Sequence, residues 1–378
     1  MAGIYIHIPF CKTRCIYCDF YSTTRSELKA RYLLALCREL EMRKEYLQGE
    51  QVETLYFGGG TPSQLTADDF QLVFDTLERT FGLQHCKEIT LEANPDDLTP
   101  EYLQTLSSLP FNRISMGIQT FDDATLKLLK RRHTAAQAIH AVIACREAGF
   151  QNISIDLIYG LPGETFERWE RDLQQAVALN VEHLSAYHLI YEENTPIYLM
   201  CKKHQVEEVD EESSVRFFAL LMDKLAAAGY EHYEISNFCR PDKWSRHNSS
   251  YWQGIRYLGC GPSAHSFNEA SREWNCASIE AYMEGIEKGV RVFETELRDA
   301  ATCYNEFILT SLRTIKGLSL SRLKADFGEE RYRYCLRMAD THLNSQKLEL
   351  RDGALCLTRQ GIFVSDGIMS DLLWVEND

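Results

Sequence analysis

Along the first two hundred or so residues, short apolar runs alternate with longer stretches whose apolar residues recur at helical spacing. Ile4 to Ile8 reads as a buried strand ended by Pro9. Ser26 to Leu47 then carries Leu33, Leu36 and Leu40 on one helical face, with Ser26 placed to cap it. Thr54 to Phe57 is a second short strand, running into Gly58-Gly59-Gly60-Thr61-Pro62. Thr66 with Asp69 forms a capping-box pattern for a helix whose buried stripe is Phe70, Val73, Phe74 and Leu77. Ile89 to Leu91 is a third strand ending at Glu92, and Thr99-Pro100 opens a short helix. Arg113 to Ile118 is a fourth strand ending at Gln119, followed by a helical stretch to Gly149. Ile153 to Ile158, containing Asp156, is broken by Gly160 to Gly163. Phe166, Trp169, Leu173 and Val177 mark the next helix, before a sixth strand at Leu184 to Leu189.

Strand and helix in strict alternation predict an α/β fold, a parallel barrel or partial barrel of six βα units. The polar residues sharpen this expectation. Cysteines follow strand one, a glycine run follows strand two, and Glu92 and Gln119 end strands three and four. Barrel enzymes build their sites at the carboxyl ends of strands, so these residues are expected at one mouth.

From about Ile190 the rhythm changes. Glu207 to Glu212 is an acidic, solvated run, and a helix over Val215 to Ala228 ends at Gly229. A dense segment follows: Tyr233 to Asn237, Trp244 to Trp252, and Gly259 to His265. The last eighty or so residues predict helices at Leu320 to Phe327 and Arg331 to Ser345. A hairpin turning at Asp352-Gly353 comes next, then a final helix after Thr358. That order is winged-helix-like and mostly helical. Without a clear basic recognition face it reads as a packing or lid module. The expected domains are 1–230, 231–295 and 296–378, the last boundary lying near Glu294 to Ala301.

Composition narrows the class. The 378 residues are 45% hydrophobic and 25% charged, as in ordinary globular proteins. There is no apolar run of membrane-spanning length, and a strand beginning almost at Met1 argues against a signal peptide. A formal charge of −15 argues against a nucleic-acid partner. Thirteen cysteines without secretory features predict reduced thiols and a cytoplasmic protein.

The cysteines carry the chemistry. Cys11, Cys15 and Cys18 stand at C-x3-C-x2-C spacing among aromatics. Soft thiolates so close select zinc or an iron–sulfur cluster. Structural zinc wants four closed ligands, and the next cysteine, Cys37, lies inside a predicted helix. Three ligands with one open position suit a cubane cluster. The string YIHIPFC-x3-C-x-YC-D-F resembles the radical S-adenosylmethionine (SAM) family. Within it the likeness is to the branch of oxygen-independent coproporphyrinogen III oxidases and their haem-chaperone relatives. The resemblance implies a partial (β/α)6 radical SAM barrel, with a 4Fe–4S cluster on Cys11, Cys15 and Cys18 and SAM chelating the fourth iron. Tyr5, Gly59, Gly60, Thr61, Glu92, Gln119, Arg131 and Asp156 match the family's SAM-contacting positions. Lys130 departs from it, since glycine more usually precedes that arginine.

His247-Asn-x-x-Tyr251-Trp252 reads by itself as a core loop, its rings filling space and its histidine hydrogen-bonded. The string also resembles the haem-binding signature of the chaperone branch. On that reading His247 is expected as the leading axial ligand, with His265 as rival because the likeness alone does not choose between them; Tyr251 and Trp252 are expected to wall the porphyrin, and Lys243 and Arg246 to meet its propionates. Two functions compete. One is a haem chaperone that passes haem to an acceptor protein; the other is oxidative decarboxylation of coproporphyrinogen III. The decarboxylases carry a further cysteine where Phe20 stands, and a long N-terminal extension before the position of Tyr5. The chaperone reading is therefore expected.

Overall fold

The computed structural model describes residues 1–375, and its spine is a twelve-stranded sheet. Six parallel strands lie side by side in chain order: β1 (Ala2–Ile8), β2 (Val52–Gly59), β3 (Glu88–Ala93), β4 (Arg113–Gln119), β5 (Ile153–Tyr159) and β6 (His183–His188). Between them run α1 (Lys29–Met42), α2 (Ala67–Phe81), α3 (Pro100–Leu106), α4 (Asp123–Leu128), α5 (Ala135–Glu147) and α6 (Phe166–Ala178). Parallel neighbours in sequential order need same-handed helical crossovers, which curl the sheet towards a barrel. The barrel stays partial, because β1 and β6 pair with other strands rather than with each other.

Strict alternation along each strand decides what goes where. Ile4, Ile6, Ile8, Leu55, Phe57, Ile114 and Met116 join the apolar core with Tyr32, Leu33 and Leu36 of α1 and Phe70 and Phe74 of α2. The opposite positions are polar and meet inside the barrel, where Thr54 bonds His247, Tyr56 bonds Glu92, and Ser154 bonds His183. Such an interior is built to hold something other than an apolar core.

Most expected elements form, with two informative departures. Ser26 does not cap α1; it opens a 3-10 turn (Ser26–Leu28), and no side chain caps the helix that starts at Lys29. The helical stretch expected after Gln119 is interrupted between α4 and α5, where Lys130 turns to φ 59°. Thr66 and Asp69 form the capping box as expected.

After β6 come α7 (Pro196–Lys202), α8 (Glu211–Ala227), β7 (Glu231–Glu234), β8 (Asn237–Cys239) and α9 (Arg246–Trp252). Then follow β9 (Tyr257–Cys260), β10 (His265–Phe267), β11 (Ser271–Asn275), α10 (Ile279–Glu287) and β12 (Phe293–Leu297). Residues 231–295, set apart in the sequence, thus widen the barrel sheet at both edges. β8 and β7 continue it beyond β6, and β9 to β12 continue it beyond β1.

The C-terminal unit consists of α11 (Ala300–Leu312), β13 (Leu318–Ser319), α12 (Leu320–Asn344), β14 (Leu348–Arg351) and β15 (Ala354–Leu357), then two short helices, α13 (Arg359–Ile362) and α14 (Ser365–Asp371). It has its own core of Tyr304, Ile308, Leu312, Leu323, Cys335 and Leu355. Gly328, at φ 81°, breaks α12 between the two helices expected there. Asp352 and Gly353 both take positive φ in the hairpin turn. Arg313 of this unit pairs with the buried Glu234 at 2.9 Å.

Candidate cofactor site and adjoining chamber

The loop after β1 brings Cys11, Cys15 and Cys18 to one wall of a cavity of about 480 Å³ at the carboxyl end of the barrel. Gly59, Gly60, Thr61, Glu92, Gln119, Arg131 and Asp156 line the same cavity. Among the described residues no three metal-binding side chains close around a single ion. The cavity lining holds three cysteines and no fourth, a donor set that suits an iron–sulfur cluster better than a closed four-ligand zinc site. Burial pushes the Cys18 thiol up to about 11 and raises that of Cys11, so without metal these groups rest protonated. Iron ligation removes such protons outright. Thr61 Oγ1 donates to Cys11 Sγ at 3.4 Å, and Arg131 Nη1 to Cys15 Sγ at 3.4 Å. Two of the three sulfurs are therefore already oriented by donors that stabilise thiolate charge.

Arg131 is held at its other end by Asn94 Oδ1 at 2.6 Å and the Gly117 carbonyl at 2.5 Å. Asn94 also donates to Thr61 Oγ1 at 3.3 Å, tying the two cysteine partners together. Sequence reading missed Asn94; its place one residue after β3, beside Glu92, was the available signal. Lys130 supplies the turn that aims Arg131 inward, and its φ of 59° is the left-handed conformation that favours glycine. The departure from the family pattern therefore leaves the geometry intact and costs only local strain. Lys130→Gly should keep cluster and SAM binding. It should raise stability by at most about 1 kcal/mol in urea denaturation, since relief of strain is partly offset by a freer unfolded chain.

The glycine run has a cause besides ligand approach. A Cβ on Gly59, at φ 108°, would lie 2.6 Å from the His7 ring, and one on Gly60 2.8 Å from the Pro9 backbone. Both glycines are required by packing against β1, and that same contact seats the cysteine loop.

Glu92 and Asp156 face each other's charge across the barrel. Tyr56 OH donates to Glu92 Oε1 at 2.7 Å, and the Gly59 amide to Oε2 at 3.2 Å. Burial raises Glu92 to about 7, with Asp156 adding to the shift; burial likewise raises Asp156 to about 6. Ribose hydroxyls and a sulfonium both favour the ionised carboxylate, so if the expected contact with SAM is made at Glu92, binding should release the Glu92 proton. SAM affinity should then fall as pH drops below about 7 and level off above it. Calorimetry across pH 6–8.5 checks the slope. Glu92→Gln should flatten it and weaken binding about ten- to hundredfold, from about 1.5–3 kcal/mol of charged hydrogen bonding.

A second, larger cavity of about 970 Å³ adjoins the first and shares Asp19, Phe20, Glu92 and Tyr187 with it. This chamber lies between the barrel mouth and the C-terminal unit, whose Phe307, Arg322 and Phe327 face the barrel's Tyr251, Trp252 and Phe267. Tyr5 lines this chamber and not the cysteine cavity, its hydroxyl 3.2 Å from His7 Nδ1.

The His-Asn-x-x-Tyr-Trp string is a helix, α9, and not a loop folded back on itself. Ser245 caps it, and Glu88 holds the amides of Arg246 and His247 at 3.0 and 2.9 Å. Asn248, Tyr251 and Trp252 face the chamber, but His247 points into the barrel and is 1% exposed. Its Nδ1 meets Thr54 Oγ1 at 2.9 Å, its Nε2 meets Tyr251 OH at 2.8 Å, and its ring stacks on Tyr56. With both nitrogens engaged and no exposure to the chamber, His247 is not placed as an iron ligand. Lys243 and Arg246 do not line the chamber either; Arg246 lies over Trp244.

Comparisons with known proteins match this architecture. Residues 5–176 match the radical SAM superfamily, and residues 299–364 the HemN C-terminal domain. The chain is 35% identical to the heme chaperone HemW of Mycobacterium tuberculosis, over 98% of this chain and 94% of that relative. It is 34% identical to HemW of Bacillus subtilis over 87% of each. A mitochondrial radical S-adenosyl methionine domain-containing protein 1 from Danio rerio is 27% identical over 98% of this chain and 87% of its own. Among solved structures, coproporphyrinogen III oxidase (HemN) from Escherichia coli superposes with a TM-score of 0.85, covering 98% of this chain and 89% of its own. At 22% identity that last likeness shows the fold alone. On sequence identity sustained across nearly its whole length, the chain belongs to the HemW family of the radical SAM superfamily.

Proposed function

We propose that this protein is a haem chaperone: it binds haem in the chamber, beside a 4Fe–4S cluster and SAM, and releases it to an acceptor protein. The observation that carries the reading is the chamber of about 970 Å³ next to the cysteine cavity, with flat aromatic walls from both the barrel and the C-terminal unit. Its size is at the upper end for a small-molecule site, and aromatic faces pack well against a porphyrin plane. The HemW relatives bear the name heme chaperone, which supports the same reading.

The donor set fits the cluster. Cys11, Cys15 and Cys18 would ligate three irons, leaving the fourth to the amino and carboxylate groups of SAM. When bound, that pair supplies one-electron chemistry at the barrel mouth. The chain's own residues orient the parts. Thr61 and Arg131 hold two sulfurs, Gly59 and Gly60 keep the β2 end close to β1, and Glu92 and Asp156 offer acceptors for ribose. Gln119, at φ 74° after a register break with β5, turns into the same cavity. Phe20 stands at the junction of the two cavities and is 64% exposed, an apolar divider where a thiol would add a donor.

The test is anaerobic reconstitution followed by haem titration. Haem-loaded protein is then mixed with an apo-haem protein, and transfer is read from the Soret band. Binding followed by transfer is expected. Conversion of coproporphyrinogen III to protoporphyrinogen IX by the reduced, SAM-loaded protein would replace this reading with the decarboxylase one.

A further inference from the structure

Resting on the haem reading above, we infer that His265, and not His247, is the side chain that ligates haem iron in the chamber. Two histidines line the chamber among the described residues, His7 and His265. His7 is closed to iron, because its Nδ1 meets Tyr5 OH at 3.2 Å and its Nε2 the Tyr21 carbonyl at 2.9 Å. His247 is closed in the same way by Thr54 and Tyr251. His265 is exposed, and its ring carries no hydrogen bond to any described residue. Iron needs a nitrogen lone pair aimed into open space, and His265 alone among these offers one.

Its ring is nonetheless oriented. His265 begins β10 opposite Trp274 of β11, and the imidazole stacks on that indole at 5.6 Å and 25°. The loop before it is pinned from below by buried charges. Glu39 accepts from the Gly261 amide at 2.8 Å and from Asn275 Nδ2 at 2.7 Å, while Arg43 donates to the Gly259 carbonyl and Ser266 Oγ, each at 2.9 Å. A Cβ on Gly259 would lie 2.0 Å from the His265 carbonyl, so the turn admits only glycine there. A ligand mounted on such a turn holds its direction before haem arrives, which lowers the ordering cost of binding.

The surroundings suit an iron porphyrin in two further ways. Arg272 and Arg298 share the carboxylate of Glu306, at 3.1 and 2.5 Å, so two guanidiniums meet one carboxylate at that corner of the chamber wall. That corner can receive a propionate, the role Lys243 and Arg246 do not fill. Burial and the nearby Arg272 also lower the His265 pKa, so its lone pair is free at neutral pH.

Ferric haem titrated into the anaerobically reconstituted full-length protein tests the assignment. Wild type should show the Soret and electron paramagnetic resonance features of imidazole-ligated iron. His265→Gly should lose them and bind haem about tenfold more weakly, keeping cluster absorption and SAM binding. Added imidazole should restore the wild-type spectrum, which a merely structural role of His265 would not allow. His265→Gln serves the same purpose if the glycine variant folds poorly. His247→Gln should keep the wild-type haem spectrum. An unaltered spectrum in both His265 variants would overturn the assignment, whether the iron then rests on His247 or on Cys303 in the chamber wall. Absence of haem binding by the wild-type protein would instead overturn the chaperone reading itself.

Discussion

Alanine in place of Cys11, Cys15 or Cys18 should abolish the reconstituted 4Fe–4S absorption band and, with it, tight SAM binding. The three thiols line one cavity wall, and the described residues bring no fourth cysteine to it. Losing one sulfur leaves an iron without protein ligand in a cluster that already has one open position, and no neighbouring thiol can replace it. Cys37 is the control. It is buried on α1 with its sulfur 3.8 Å from the Leu72 carbonyl, outside both cavities. Cys37→Ala should keep full cluster content by iron and sulfide analysis. A four-iron cluster of wild-type stability in the Cys15→Ala protein would refute the assignment. Of the three, Cys15 should be the most damaging to SAM geometry as well. Its sulfur is the anchor of Arg131, which in turn holds Asn94 and the Gly117 carbonyl.

His247→Ala should destabilise the fold by about 3 kcal/mol or more, a loss of over a hundredfold in the folding equilibrium. The substitution empties a ring-sized space against Tyr56 and leaves the buried Thr54 Oγ1 and the half-buried Tyr251 OH without their partner. The sign of the pH dependence follows from the imidazole. Burial, with a smaller contribution from Arg113, lowers its pKa from 6.5 to about 3, so the folded protein holds it neutral. The unfolded chain binds a proton below about pH 6.5 that the folded one refuses, so this group's contribution is full above that pH and shrinks as acid is added. Denaturation midpoints should therefore separate variant and wild type more at pH 8 than at pH 5. A stability equal to wild type at pH 8 would contradict the buried place of His247 inside the barrel and reopen it as a haem ligand.

The history of this one motif shows how far the chain's order can be read. His247, Asn248, Tyr251 and Trp252 stand out in the sequence because an imidazole and large rings are close together. Proximity along the chain says nothing about which face each presents. Once α9 forms, residues 247 and 251 lie one turn apart and bond each other, so the imidazole turns into the barrel while Asn248, Tyr251 and Trp252 line the chamber. The capping contacts from Glu88, 159 residues earlier for His247, fix the rotation of that helix. No local pattern encodes such a contact. His265 shows the converse: it drew notice only as a rival, yet β10 carries it to the chamber by pairing with β9 and β11.

The sequence by itself determined the six alternating strands and helices, the cysteine triad, and the set of polar strand-end residues. Each is written locally: period-two strands, 3.6-residue helices, caps, and side chains placed at the end of a run. The resemblance in the first residues then assigned the chemistry. Only the tertiary structure decided three matters. Residues 231–295 became flanks of the barrel sheet, since strand partners are chosen by long-range pairing and buried charge. Lys130 bent into a left-handed turn, since Arg131 had to reach Asn94, Gly117 and Cys15 at once. And the chamber took shape, since it is enclosed by side chains of the barrel mouth and of the C-terminal unit, which meet only when the whole chain is folded.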